Sequence, residues 1–552
     1  MKNVQVKTPL KPITEVAAKI GLTREDLELY GDYKAKVKLT VYNRVKENPD
    51  GKLIVITAIT PTKAGEGKTT TAIGLSEAMW RLNLKNIVVV RQPSMGVTFG
   101  IKGGATGGGK AQILPMEEIN LHFTGDTHAI TIAHHLMNAM LDNHIYRGKE
   151  PQIDIHNIFI KRVQDMEDRP LRNIVIGLGG KEGGIPRETG FEITTACETA
   201  AIHALACDYR DLKERLGNIL VALSKDGKLV KASDIKCVGC MAAVMRDSLK
   251  PNMVQTMEGT PAFIHGIPFA NVAHGSPSLI SIKMALKLAD YVIVEAGFGS
   301  DLGFEKFCNI PCRIGGLKPD VGVIVVSIRA LREHGGAKDH EKPNLEAVKK
   351  GMENLEKHVE NVRKFGVPAV VAINKFEGDT TEEIEYVIDW CKARNVPVAV
   401  SEVYAKGGEG GIELANTILE TINREKSQFK PLYELNLPIE EKIRIIAREM
   451  YGADDVIFTD EAKTSIRRIN RWGYSNLPIN MAKTPLSLTD NPKILGRPRG
   501  FKITVTDVKV FAGAGFLVAY CGEISTLPAL PSEPAAENID LDPETGEIIG
   551  VR

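Results

Sequence analysis

The stretch Leu53–Thr71, LIVITAITPTKAGEGKTTT, constrains the fold more than any other part of this chain. An apolar run of strand type leads into a glycine-bearing loop ending Gly67-Lys68-Thr69, and a helical pattern follows. In that arrangement backbone N–H groups and a helix N-terminus face phosphates, a lysine neutralises the β/γ oxygens, and a hydroxyl can join Mg²⁺. Two registers fit. Against G-x-x-x-x-G-K-[ST], Thr62 stands where the first glycine belongs, while Lys63 and Lys68 together match a two-lysine phosphate loop. Either register predicts a nucleotide triphosphate held by Thr62, Lys63, Ala64, Gly65, Glu66, Gly67, Lys68, Thr69 and Thr70, with Lys68 as the catalytic charge.

The rest of the chain repeats the same alternation. Apolar runs at 53–59, 86–91, 173–178, 291–295, 321–328, 367–373 and 396–400 read as strands, several of them apolar throughout as buried parallel strands are. Helical patterns at 69–82, 278–289, 344–364 and 381–394 lie between them. This predicts an α/β fold of the phosphate-loop NTPase type: a mostly parallel sheet with helices on both faces. Two stretches break the rhythm. From about 120 to 247 strands thin out and charged helical segments dominate, which predicts an inserted lobe. After about 431 a charged helix gives way to a β-type run at 501–510, which predicts a smaller C-terminal domain. The expected division is 1–365 and 366–552, the second part supplying one side of a ligand cleft. The Pro-rich, acidic tail from Leu527 reads as an ordered loop or docking arm.

Composition excludes several classes. Lys and Arg number 70 against 69 Asp and Glu, so no global field draws the chain to nucleic acid or an anionic membrane. No apolar stretch approaches the length of a membrane span, and MKNVQVKTPLKPITEVAAK lacks the apolar core of a secretory signal, so the chain reads as cytoplasmic. Eight cysteines are too few for a disulfide scaffold at 552 residues. Cys237, Cys240, Cys308 and Cys312 sit in no zinc-ribbon context and read as reduced structural thiols. Five histidines between His122 and His144 lack metal-site spacing.

Ligands of open parallel sheets gather beyond the carboxyl ends of the strands, so what each strand delivers there matters. The strand at 86 ends in Arg91-Gln92, followed by GIKGGATGGGK (100–110), six glycines in eleven residues with Lys102 and Lys110 interleaved. Glycines let backbone approach a ligand closely, and Arg91 suits bidentate contact with a carboxylate or phosphate. The strand at 291 delivers Glu295 and then Asp301, either of which can hold Mg²⁺ or its water shell, with helix capping an equal alternative for Asp301. The strands at 367 and 396 deliver Phe376 and Tyr404, which as neighbours would form a stacking slot for a flat heterocycle. Asn374-Lys375-Phe376-Glu377 has Glu where guanine readers have Asp, so guanine selectivity does not follow.

FGIKGGATGGGKAQILPMEEINLHFTGD (99–126) and VVSIRALREHGG (325–336), together with KPNMVQTMEGTPAFIHGIPFANVAHG, ADYVIVEAGFGSDLGFEKF, MAKTPLSLTDNPKILGRP and FAGAGFLVAYCGEI, resemble the formate–tetrahydrofolate ligases nearly end to end. The resemblance implies ATP, formate and tetrahydrofolate as substrates, and 10-formyltetrahydrofolate, ADP and phosphate as products through formyl phosphate. It also implies a homotetramer activated by a monovalent cation (NH4+ or K+). Matched by position, Arg91 holds formate and the intermediate, with Gln92, Lys102, Gly103 and Gly104 beside it. Phe376 and Tyr404 would sandwich the pterin; the Mg²⁺ of ATP is assigned to Thr69 and Glu295 from the phosphate loop and the strand end. Some positions depart from the family pattern: Gln92 replaces Glu, Lys63 replaces Pro, Lys110 replaces Tyr or His, Tyr404 replaces Trp, and Ser276-Pro277-Ser278 replaces Cys-Asn-Ser. Two other readings remain at this level, a nucleotide-switched two-lysine ATPase and an inactive folate-binding paralogue.

Overall fold

The apolar runs pair into one twisted layer because each is buried on both faces, as parallel strands covered by helices are. The computed structural model describes residues 9–63, 65–100 and 105–551. Its main sheet has twelve strands, ten of them along one path: Leu27–Leu29, Ala35–Val37, Asn252–Thr256, Pro261–Ile264, Asn86–Val90, Tyr291–Glu295, Lys52–Ala58, Val321–Val326, Ala369–Asn374 and Val398–Ser401. From Pro261–Ile264 onward every pairing is parallel, whereas the opposite end is antiparallel. The short hairpin Gly107–Gly108 and Ala111–Leu114 joins through Asn252–Thr256.

Helices cover both faces. Lys68–Arg81 and Ile412–Arg424 pack into one apolar cluster with the Ile54 and Ile56 side of the central strand. Leu279–Leu288 and Leu345–Lys364 close the Val55 and Val294 side. Alternate residues of Lys52–Ala58 therefore feed two different cores, the period-two pattern of a doubly covered strand.

The segment 120–247 holds more β-structure than its sequence suggests. After the 21-residue helix Asp126–Tyr146 come seven short strands, among them Ile174–Ile176 and Arg187–Thr189 in a two-stranded antiparallel sheet. Ile174–Ile176 is the strand expected at 173–178; the others are short or half exposed, so the charged helices on either side dominate the sequence signal. A separate four-stranded sheet orders Asp455–Phe458, Lys502–Phe511, Phe516–Cys521 and Ile479–Ala482. The main sheet takes its last two strands from beyond residue 365, so the expected division at 365/366 passes between neighbouring strands of one sheet. The tail lies against the glycine-rich region, with Ala535 N–H donating to Gly100 O at 2.9 Å.

Candidate functional site

The central strand Lys52–Ala58 ends at the middle of the sheet's carboxyl edge, and the loop that follows returns as the helix Lys68–Arg81. Gly67 is the N-cap at φ +77°, and a Cβ there would lie 2.3 Å from Asn374 Nδ2. Only glycine meets both the left-handed backbone and that approach. No side chain caps the helix, so its first N–H groups face outward with the positive end of the helix dipole.

The loop is held from below. Glu66 Oε1 accepts from Thr62 N–H at 2.9 Å and from the Thr62 hydroxyl at 3.0 Å, and Oε2 accepts from Ser327 Oγ at 2.5 Å. Asn374 Nδ2 donates to Glu66 O at 3.0 Å. The Thr62 and Glu66 side chains are therefore engaged inward, bracing the loop against the ends of two neighbouring strands. Lys63 is exposed, while Gly65, Lys68, Thr69 and Thr70 line the half-buried rim. Ala64, Lys102, Gly103 and Gly104 lie outside the described residues.

One strand over, Glu295 ends Tyr291–Glu295 opposite Ile56 of the central strand. Its Oε2 accepts from Thr69 Oγ1 at 2.6 Å, and its Oε1 lies 4.0 Å from Arg91 Nη2. Three strand ends thus bring hydroxyl, carboxylate and guanidinium together. Hydroxyl and carboxylate oxygens are hard donors of the kind Mg²⁺ takes, so the pair fits that ion. Burial pulls the Arg91 pKa down and Glu295 pulls it back up. A Cβ on Gly297 would approach Arg91 Nη2 to 3.2 Å, which leaves the guanidinium room only because the residue is glycine. Asp301 does not share the site: it is buried 3.6 Å from Lys483, and the cap of its turn is Gly299. Gln92 Nε2 donates to Thr127 Oγ1 at 3.4 Å.

The two expected ring walls sit at the same edge. Asn374 and Ser401 are register partners, and Lys375 N–H donates to Ser401 O at 3.1 Å, so Phe376 and Tyr404 leave neighbouring strand ends. Each is backed on one side. Arg329 Cζ lies 5.1 Å from the Phe376 ring centroid. The Gly108–Gly109 turn lies against the Tyr404 ring so closely that a Cβ on Gly109 would come within 2.8 Å of it, and Lys110 N–H donates to Tyr404 O at 2.9 Å. Tyr404 is nevertheless 56% exposed.

Sequence reasoning passed over Ser327, Arg329 and the bracing role of Asn374. The first two lie in VVSIRALREHGG, where a serine at a strand end and an arginine two residues on were the available signal. His134 is not a metal ligand here: it bonds Thr199 Oγ1 and Lys161 O at 2.9 and 2.8 Å, and burial holds it neutral with a pKa near about 4. Among the described residues no group of three or more His, Cys, Asp or Glu is placed to hold a metal. Among the described residues no helix is long and apolar enough to cross a membrane. Two cavities of 780 and 430 Å³ lie elsewhere, around Arg210–Gly239 and around Trp472 and Glu192.

The family model described as formate--tetrahydrofolate ligase matches residues 2–552. Two solved structures of translation elongation factor SelB from Methanococcus maripaludis align with part of the chain. The complex with the GTP analogue GPPNHP is 21% identical over 25% of this chain and 27% of its own, with a TM-score of 0.16. The apo form is 19% identical over 25% and 28%, also with a TM-score of 0.16. The match spans little more than a quarter of either structure's length. By the family match, the chain belongs to the formate–tetrahydrofolate ligase family.

Proposed function

We propose that this member of the family joins formate to tetrahydrofolate at the expense of ATP, giving 10-formyltetrahydrofolate, ADP and phosphate by way of formyl phosphate. The observation that carries the reading is the convergence of Thr69, Glu295 and Arg91 beside the N-terminus of the Lys68 helix. A guanidinium next to the carboxylate and hydroxyl suited to a nucleotide's cation is where a second anion must sit to meet a γ-phosphate.

Formate is a poor electrophile because its oxygen is a poor leaving group. Attack of a formate oxygen on the γ-phosphorus forms the new O–P bond, breaks the bond to ADP, and turns that oxygen into a phosphate leaving group. Phosphoryl transfer needs chiefly alignment and charge neutralisation. In this reading the helix N-terminus and Lys68 hold the phosphates, while Glu66 keeps the loop's shape from below. Arg91 holds formate in line through two N–H groups and balances the charge of the acyl phosphate. Thr69 and Glu295 are the residues that would hold the Mg²⁺ of ATP, which would add charge neutralisation at the phosphates. Phe376 and Tyr404 grip the pterin by their unbacked sides and aim N10 at the formyl carbon. Attack there forms the C–N bond, expels phosphate, and leaves the N10 proton to solvent or phosphate. Homotetramer formation and stimulation by NH4+ or K+ belong to the same proposal and rest on the family alone.

The test measures 10-formyltetrahydrofolate and ADP with ATP, formate and tetrahydrofolate each omitted in turn. Both products require all three, and Lys68→Ala lowers turnover by about a thousandfold or more. ATP turnover indifferent to formate would favour the nucleotide-switched ATPase, and folate binding with no turnover would favour the inactive paralogue.

A further inference from the structure

Arg91 is backed by the loop 268–276, and that loop is gripped by residues far away in sequence. Pro268 O accepts from Arg91 Nη1 at 3.4 Å. Ala270 packs beside the same glycines: a Cβ on Gly275 would lie 2.6 Å from Ala270 Cβ, and one on Gly297 would lie 2.8 Å from Ala270 Cβ and 3.2 Å from Arg91 Nη2, so Ala270 and the guanidinium both flank Gly297. Ala270 lies two residues from Pro268, whose carbonyl takes Arg91 Nη1, and it flanks Gly297 with Arg91 Nη2, so a displacement of Ala270 is passed on to Arg91 through a packed interior.

Three donors fix this segment. Lys306 Nζ donates to Ala270 O at 2.9 Å and to Asn271 O at 2.6 Å. Asn480 Nδ2 donates to the same Asn271 O at 3.0 Å, so that carbonyl takes two donors. Lys483 N–H donates to Asn271 Oδ1 at 3.0 Å. Lys306 belongs to the helix Glu305–Asn309, whereas Asn480 belongs to the strand Ile479–Ala482 of the separate four-stranded sheet. Lys306, Asn480 and Lys483 are fully buried, and Asn271 is nearly so. A buried lysine amine must satisfy its N–H donors within the protein, which gives Lys306 a strong preference for these two carbonyls. The C-terminal sheet therefore reaches the anion-binding arginine through one amide, one carbonyl and one alanine.

We propose that Asn480 and Lys306 are positioning residues that hold Ala270 and Asn271 against Arg91, so that affinity for formate depends on the C-terminal sheet. The inference rests on the reading of Arg91 given above. A residue that merely glues the core would change all substrates alike, or only the stability. A residue acting through Arg91 changes formate alone.

Initial rates of the full-length protein decide this. Asn480→Ala raises the KM for formate by roughly tenfold, since small misplacements of a positioning group are costly, and leaves those for ATP and tetrahydrofolate within about twofold. Asn480→Ser, which keeps a shorter donor, gives a smaller shift and serves if the alanine variant is insoluble. In an Arg91→Lys background Asn480→Ala adds less than about twofold, because residues acting through one contact are not additive. Unchanged formate KM in folded variants, equal rises for all three substrates, or multiplicative effects with Arg91→Lys would overturn the proposal while leaving the reading of Arg91 standing. A wild-type chain whose ADP release ignores formate would overturn both.

Discussion

At the scale of single residues, the site works by holding charges in places that cost stability unless they are braced. Glu66 is buried yet satisfied by Thr62 and Ser327, so its carboxylate shapes the loop. Glu77, two turns along the same helix, is less well served. It is buried beside Glu258, its Oε2 has no partner among the described residues, and burial first and Glu258 second push its pKa up to about 8. The folded state therefore keeps a proton that the unfolded chain gives up near 4.5. The stability of the neutral form is present in full below that value and is lost as pH rises towards 8, by at most ~1.4 kcal/mol per pH unit. Glu77→Gln removes this dependence. Denaturant unfolding of wild type and variant from pH 5 to 8 checks it, and parallel profiles would refute the account of Glu77.

At the scale of elements, Gly107–Lys110 and the segment after Val398–Ser401 form one unit, because the glycine turn packs on the Tyr404 ring. Tyr404→Ala is expected to raise the KM for tetrahydrofolate roughly 5- to 100-fold, the range for loss of one stacking wall, and to leave that for ATP nearly unchanged. Steady-state kinetics with each substrate varied checks this, and equal changes in both constants would remove Tyr404 from the pterin site. The long elements were legible in the sequence for a plain reason. Strands such as 321–326 are apolar throughout because both faces are covered, and helices such as Leu345–Lys364 carry a strong apolar stripe. The strand Asn252–Thr256 escaped notice because three of its five buried positions, Asn252, Gln255 and Thr256, are polar. Asn252 donates to Asp126 Oδ2 at 2.6 Å and Gln255 to Lys11 O at 2.8 Å, so partners far along the chain replace the hydropathy signal. The bracing of the 61–67 loop by Ser327 and Asn374 is hidden for the same reason, since each contact spans more than 250 residues.

At the scale of the whole molecule, one sheet edge gathers the residues that the proposed chemistry requires. Lys68, Thr69, Glu295 and Arg91 come from three adjacent strand ends, and Phe376 and Tyr404 from the two strands at the far end of the same edge. The order of those strands is not readable from spacing along the chain, because neighbours such as Lys52–Ala58 and Tyr291–Glu295 are separated by much of the sequence. The account turns on formate being activated as an acyl phosphate in this crevice before folate captures it. Turnover with formate labelled in both oxygens by ¹⁸O, followed by mass analysis of the inorganic phosphate, tests that most directly. One labelled oxygen in each phosphate released is the predicted result, because the bridging oxygen leaves with phosphorus. Phosphate free of label, alongside normal formation of 10-formyltetrahydrofolate, would contradict it.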